Sequence, residues 1–481
     1  MIAEATRTYR AGEYHEFEGR GRRFLYLVPA GAIFEVDEFA GTIIDRLADG
    51  EASHDELIDG LAAKGMSIGD AEELVAELLG SRTLLAAGFK PEAVQEAPAV
   101  FPMQTLVMNL TNQCNLSCQY CYEFGADKVA TPDGKPKFME MDTAKASVDF
   151  LMEQSAGRRT VHITFFGGET LMNFPLLREV VGYANQRAAE FGKSIDYSLT
   201  TNATLITPQI IEFLSENRIG VTVSMDGPKE LHDKLRVFSN GMGSYDMIAP
   251  RVKALIAGHR TRPIVARVTL TSNVTDVIRI YRHLKEDMGF HEVGFAPVTS
   301  TPNQLYSIQD AGMDTVLGQF KQLADEYLEY ALRGEMHGFT NVSDTIAELY
   351  QGVNKSQPCG AGLGLMGVGP SGDIAPCHRF VDSDTHALGN IKTGIDREKQ
   401  QEFLTRGHIN NKYECSTCWA RPLCAGGCHH EAYVRYGNTG HPNLHYCDWI
   451  REWTDTCLRI FGTLDAQNPQ FLETFAERKA L

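Results

Sequence analysis

Three cysteines, Cys114, Cys118 and Cys121, stand in C-x3-C-x2-C spacing within the stretch Thr111–Tyr122 (TNQCNLSCQYCY). A 4Fe-4S cluster normally takes four cysteines, so three on one short loop imply a distant fourth ligand or one iron left open to a ligand from outside the chain. A zinc loop, or a trio of buried thiols without metal, would use the same residues. Seven more cysteines come late: Cys359 and Cys377, then Cys415, Cys418, Cys424 and Cys428 in C-x2-C-x5-C-x3-C spacing, then Cys447. A zinc ribbon on Cys415, Cys418, Cys424 and Cys428, with His429, His430, His441 and His445 as spare nitrogen donors, is the competing account of that region. Cys457 completes the eleven. Between the two groups, Gly167-Gly168-Glu169 offers a loop whose backbone can approach an amine that Glu169 could accept from. Arg236 carries a guanidinium fork suited to a carboxylate. Its plainer role is an ion pair with Asp233, and Asp226-Gly227-Pro228 by itself reads as a β-turn.

The elements that must hold these residues alternate between strand and helix. Six strand-like runs stand out: 104–110, 161–166, 195–200, 220–225, 264–270 and 292–297. Helical segments lie between them, including 143–154 capped by Asp142, 208–217 after Thr207, and 275–288, with a long helix at 313–333 to follow. Repeated strand-helix units require a parallel sheet, and six of them suit an open partial barrel with its site at the C-terminal strand ends. The three-cysteine loop follows the first strand and the Gly-Gly-Glu loop the second. The expected fold class is therefore α/β, a partial (β/α)6 barrel over residues 103–335.

That series of strand-end motifs resembles the radical S-adenosylmethionine enzymes. The cysteine loop is similar down to Tyr120 before its last Cys, and in that family the methionine amine and carboxylate of S-adenosylmethionine chelate the open iron. Gly167-Gly168-Glu169 matches the family's GGE, with Thr170 where proline is common. Thr201-Asn202 resembles its TNG segment, with Ala203 in place of glycine. Ser224-Met225-Asp226-Gly227 and His232-Asp233-Lys234-Leu235-Arg236 match the SxDG and HDxxR patterns of its peptide-modifying branch. The resemblance implies that Tyr120, Gly167, Gly168, Glu169, Thr201, Asn202, Ser224, Asp226 and Arg236 contact S-adenosylmethionine.

The seven late cysteines match the SPASM pattern, which implies a C-terminal iron-sulfur domain over 350–465. By that resemblance Cys415, Cys418, Cys424 and Cys447 hold an outer auxiliary cluster. Cys359, Cys377 and Cys428 hold an inner one, with only Cys457 left as a distant fourth thiolate, so three 4Fe-4S clusters are implied in all.

Residues 1–95 read as a separate small domain, with strand-like runs at 23–28 and 32–36, Asp37 as an N-cap, and amphipathic helices at 38–47, 54–64 and 69–79. This order resembles the winged-helix-like peptide-recognition domain of peptide-modifying enzymes, in which a leader peptide adds to a strand edge. A purely structural cap is the alternative, and residues 91–102 read as a linker. Taken whole, the chain is most similar to the maturation proteins of quinohemoprotein amine dehydrogenase. That resemblance implies thioether links between Cys sulfur and Asp or Glu carbon in a small cysteine-rich, leader-bearing substrate, and an external donor such as flavodoxin or ferredoxin. Anaerobic sulfatase maturase, which makes formylglycine, another SPASM crosslinking enzyme such as the carbon-carbon crosslinking one of pyrroloquinoline quinone synthesis, and a non-catalytic iron-sulfur electron carrier are the alternatives.

Composition narrows the partners. A formal net charge of -17 over 481 residues argues against nucleic acid. No run of eighteen or more apolar residues suggests a membrane span, and the N-terminus lacks a secretory pattern, so a cytoplasmic location is expected. Clustered cysteines there read as metal ligands rather than disulfides.

Overall fold

The computed structural model describes residues 7–90, 93–94, 101–131 and 133–476. Most of the expected linker, residues 91, 92 and 95–100, lies outside the described residues.

The N-terminal region contains two antiparallel sheets. Strands β1 (Thr8–Ala11), β5 (Ala52–Ser53) and β6 (Leu84–Ala86) form one, and β2 (Tyr14–Gly19), β3 (Arg22–Leu27) and β4 (Ala32–Val36) the other. Helices Glu38–Ala48, His54–Ala63 and Ile68–Gly80 start where the sequence places caps: Asp37 accepts from the Ala40 amide at 2.7 Å, and Ser53 with Glu56 closes a capping box. Their apolar faces meet in a local core of Ile43, Leu47, Leu57, Leu61 and Val75 with Tyr9 and Leu84. The β2–β3–β4 sheet behaves differently. Phe17, Phe24 and Tyr26 join the main core of the molecule, and Gly19 lies so close to Gly462, in helix Cys447–Gln467, that a Cβ on it would stand 2.5 Å from the Gly462 carbonyl carbon.

All six expected barrel strands form, as β7 (Thr105–Asn109), β8 (Thr160–Phe166), β9 (Ser194–Thr201), β10 (Gly220–Ser224), β11 (Ile264–Leu270) and β12 (Glu292–Pro297). They are parallel and neighbour one another in sequence order. The C-terminal region adds β13 (Leu365–Val368), parallel to β7, and β14 (Ile374–Ala375), antiparallel to β13, giving an eight-stranded open sheet. Along β8 and β11 fully buried residues alternate with accessible ones, so one face packs under the helices and the other lines a hollow.

Helix starts differ from expectation in two places. The first barrel helix runs Met141–Gln154 with Glu140 at its N-cap and no side-chain cap, so Asp142 lies in the first turn and favours the helix dipole instead. The segment expected to be one helix over 275–288 is an α-helix at Val277–Arg282, capped by Asp276, running into a π-turn at His283–Asp287. The long helix spans Asp310–Leu332. Among the described residues, no helix is long and apolar enough to cross a membrane.

Candidate functional site

The three-cysteine loop is built against the ends of β8 and β9. Gly167 has a left-handed φ of 126°, and a Cβ there would lie 2.2 Å from the Thr111 carbonyl oxygen. A Cβ on Gly168 would lie 2.3 Å from the Gln113 oxygen and 3.0 Å from the Cys114 nitrogen. The amides of Gly168 and Glu169 donate to the Thr111 and Gln113 carbonyls at 3.1 and 2.9 Å. The two glycines thus let the second loop lie flush on the first and fix where Cys114 starts.

Glu169 is buried and its carboxylate ties the loops together. Oε1 accepts from Thr201 Oγ1 at 2.7 Å and the Leu171 amide at 3.1 Å, and Oε2 accepts from the Asn202 amide at 2.7 Å. Burial raises its pKa against those donors. Asn202 donates in turn to Asn115 Oδ1 at 3.0 Å and lies within 3.8 Å of Cys114 Sγ. Ala203 follows at φ 62°, the left-handed region that glycine would occupy without strain.

Tyr120, Asp226 and Arg236 form one buried unit. Asp226 Oδ2 accepts from Tyr120 Oη at 2.6 Å and Arg236 Nε at 2.7 Å, and the guanidinium lies over the Tyr120 ring at 5.4 Å. Oδ1 takes Arg236 Nη2 at 3.3 Å and the Thr269 amide at 2.9 Å. The fork of Arg236 is therefore filled by this chain's own carboxylate. Asp233, its expected partner, pairs with Lys229 at 2.9 Å. His232 explains the rest of the motif: its Nδ1 accepts from the Asp226 amide at 3.2 Å, and its Nε2 meets Ser244 Oγ, which donates to the Arg236 carbonyl at 2.9 Å. Burial lowers the His232 pKa to about 4, so the ring stays neutral and holds both ends of the pair. Ser224 is half-buried on the hollow face at the end of β10.

The late cysteines influence one another in two groups, with Lys412 in the field of members of both. The field of Cys415 is shared with Cys424, Cys418 and Cys447, and that of Cys377 with Cys428 and Cys359. Cys457 joins neither. It is buried in helix Cys447–Gln467, hydrogen-bonded to Thr345 and packed in the main core. His429 contacts the Thr439 carbonyl at 3.1 Å, His441 the Pro442 carbonyl at 2.7 Å, and His445 the Glu431 carboxylate at 3.2 Å.

A profile of the Radical SAM superfamily matches residues 108–276, a span that starts within β7 and holds the three-cysteine loop, Gly167-Gly168-Glu169, Thr201-Asn202 and Asp226 with Arg236, but none of the late cysteines. The serine-type anaerobic sulfatase-maturating enzyme of Bacteroides thetaiotaomicron is 26% identical over 383 residues, covering 74% of this chain and 89% of its own. This chain is an enzyme that carries a radical SAM domain over residues 108–276. The cysteine-type maturating enzyme of Clostridium novyi is 24% identical over 365 residues, covering 73% of this chain and 94% of its own. In fold, native anSMEcpe with bound AdoMet superposes with a TM-score of 0.62 at 22% identity, covering 78% of this chain and all (100%) of that one. The radical SAM fold with its central parallel sheet is thus shared.

The residues fit the cofactors of that superfamily. None of the three loop thiols is in a disulfide. Burial pushes Cys114 and Cys121 up to about 12 and raises Cys118, so thiolates there need a cationic group to balance them. Among the described residues no group of three or more Cys, His, Asp or Glu side chains converges on a single-ion position.

Several residues of the radical SAM hollow were not singled out in the sequence. Arg267 projects from the middle of β11, and Arg379 reaches in from beside Cys377, its guanidinium 5.1 Å from the Tyr122 ring centre and Nη1 donating to Thr299 at 2.7 Å. His378 packs on Phe166 at 4.5 Å between ring centres. An arginine within the otherwise apolar run IVARVTL was a readable signal for the first. Arg379 and His378 had none, because only the fold carries them to the strand ends.

Proposed function

We propose that this radical SAM enzyme modifies a ribosomally made peptide or small protein and joins Cys sulfur to an Asp or Glu side-chain carbon. The observation that carries it is the inner cysteine set, where Cys359, Cys377 and Cys428 stand together and Cys457, the one thiol left over, is held by Thr345 in the core. Three thiols with no fourth suit a site completed by a thiolate from the substrate. The SuiB structure bound to precursor peptide SuiA (Streptococcus suis; TM-score 0.50, 14% identity, covering 91% of this chain and 99% of that one) supports the fold of such an enzyme.

In this reading Cys114, Cys118 and Cys121 hold the first 4Fe-4S cluster, the inner set the second, and Cys415, Cys418, Cys424 and Cys447 the third. Bound together, the first cluster and S-adenosylmethionine would supply a 5'-deoxyadenosyl radical, given an electron from an external carrier such as flavodoxin or ferredoxin. The Gly167-Gly168-Glu169 loop and Ser224 lie where they can border that cofactor, while the Tyr120–Asp226–Arg236 unit keeps the floor rigid. A leader peptide would dock on the N-terminal domain, where β4 is an edge strand of its sheet.

Sulfatase-type oxidation of Cys or Ser to formylglycine is the second reading, favoured by the identity to the maturating enzymes. Mass spectrometry of a Cys- and Glu-bearing peptide after anaerobic turnover separates the two. Each thioether leaves the peptide lighter by two hydrogens with its sulfur kept and its thiol no longer alkylatable. Loss of sulfur with a new aldehyde would overturn the thioether reading.

A further inference from the structure

The loops that follow the first and the last of the six barrel strands, β7 and β12, meet at one carboxylate, although those two strands are not neighbours in the sheet. Asp127 lies on the β7 side, beyond the three-cysteine loop. It accepts four hydrogen bonds from a single short segment that follows β12. Oδ1 takes Thr301 Oγ1 at 3.0 Å and Gln304 Nε2 at 3.2 Å, and Oδ2 takes the Thr301 amide and Tyr306 Oη, both at 3.1 Å. Hydrogen bonds from neutral donors to an ionised carboxylate are about twice as strong as those between neutral groups, so this is a firm clasp.

The same segment is held at two further points. Ser272, in the turn after β11, donates from Oγ to the Leu305 carbonyl at 2.6 Å and from its amide to the Tyr306 carbonyl at 3.0 Å. Arg379, beyond β14, donates to Thr299 Oγ1 at 2.7 Å. Residues that follow β7, β11 and β14 thus converge on 299–306, at the strand ends where the cysteine loop also lies. Leu305 is 92% exposed whereas Ser300 and Tyr306 are buried, so the segment is a wall with solvent on its outer side. Ser272 and Arg379 hold the wall near its two ends, and Asp127 ties it to the loop that carries the cysteines.

We propose that Asp127 is a positioning residue that clasps this wall shut beside the three-cysteine loop and keeps solutes away from the radical chemistry. This rests on the S-adenosylmethionine cleavage proposed above, and not on which substrate is modified. A 5'-deoxyadenosyl radical takes hydrogen from carbon-bound positions of whatever solute reaches it, so exclusion matters as much as substrate placement. Asp127→Asn keeps the size and one acceptor oxygen but sets an amide nitrogen, itself a donor, against donors that the carboxylate now binds.

The reconstituted, reduced holoenzyme is given saturating S-adenosylmethionine, without peptide, in buffer containing perdeuterated glycerol. Where glycerol reaches the radical, a C–D bond breaks, deuterium passes to the 5' carbon and glycerol keeps the unpaired electron. Deuterated 5'-deoxyadenosine therefore counts access. Asp127→Asn should form it about tenfold faster than wild type, the change in open population expected from losing one charge-assisted bond. Tyr306→Phe, which removes one donor and leaves the carboxylate, should give a smaller rise and add little to Asp127→Asn, since both loosen one clasp. Amide hydrogen exchange across 298–308 should quicken in the same order, with β9 unchanged and iron content kept. A variant that is merely damaged would make less 5'-deoxyadenosine, labelled or not, and that result would overturn the assignment. So would equal labelling in wild type and both variants, or faster exchange across the whole barrel. No 5'-deoxyadenosine from wild type would overturn the radical reading and this assignment with it.

Discussion

At the scale of residues, the Gly-Gly pair does something different from what its motif suggests by itself. The sequence reading gave Gly167 and Gly168 to the approach of a bound amine, but both also lie on the backbone that carries Cys114, at distances no side chain tolerates. Gly168→Ala should therefore push the cysteine loop away, lowering the stability of the apoprotein by ~1–3 kcal/mol and the iron held by that loop. Gly182→Ala, in helix Phe174–Glu190 with nothing within 4 Å, should be neutral or slightly stabilising by comparison. Chemical denaturation and iron analysis of both variants check this. The cysteines were legible as candidate ligands because thiols at short spacing have few other uses. The hydrogen bonds of Glu169 to Thr201 and Asn202, and the closure of Asp226 on Arg236, were not, since they depend on which strand ends lie adjacent.

At the scale of elements, strands were the clearest signal, because each of β7 to β12 is an apolar or alternating run between turn residues. β13 and β14 escaped notice: a short LMGV run after a glycine-rich stretch and a two-residue strand have no local pattern, and β7, the partner through which β13 joins the barrel sheet, lies far away in sequence. An open sheet also needs its other edge closed. β12 is finished by helix Thr340–Tyr350, whose Asn341 exchanges two hydrogen bonds with the Phe295 backbone at 2.9 and 3.0 Å, as a neighbouring strand would. Asn341→Ala should leave that amide and carbonyl short of partners and cost ~1–3 kcal/mol, read as a lower urea midpoint. No change in midpoint would mean the edge is satisfied by water.

At the scale of the whole molecule, composition and motif order suggest three units, and the contacts between those stretches were not legible. The N-terminal region is bound into the rest by more than a linker: His15 stacks on Trp419 at 3.6 Å and pairs with Asp455 at 2.8 Å, Glu13 pairs with Arg421, and Phe17 and Phe24 pack on helix Cys447–Gln467. The N-terminal region and the late cysteine region are thereby held against each other, and the cysteine region in turn extends the barrel sheet through β13. The chemistry proposed for the chain starts at the loop of Cys114, Cys118 and Cys121. The most direct measurement is therefore 5'-deoxyadenosine formation from S-adenosylmethionine by the anaerobically reconstituted, reduced protein, compared with its Cys114→Ala, Cys118→Ala and Cys121→Ala variants. The account predicts product from wild type and none from any variant, with iron still bound by the late cysteines. Product from any one variant, or none from fully reconstituted wild type, would contradict it.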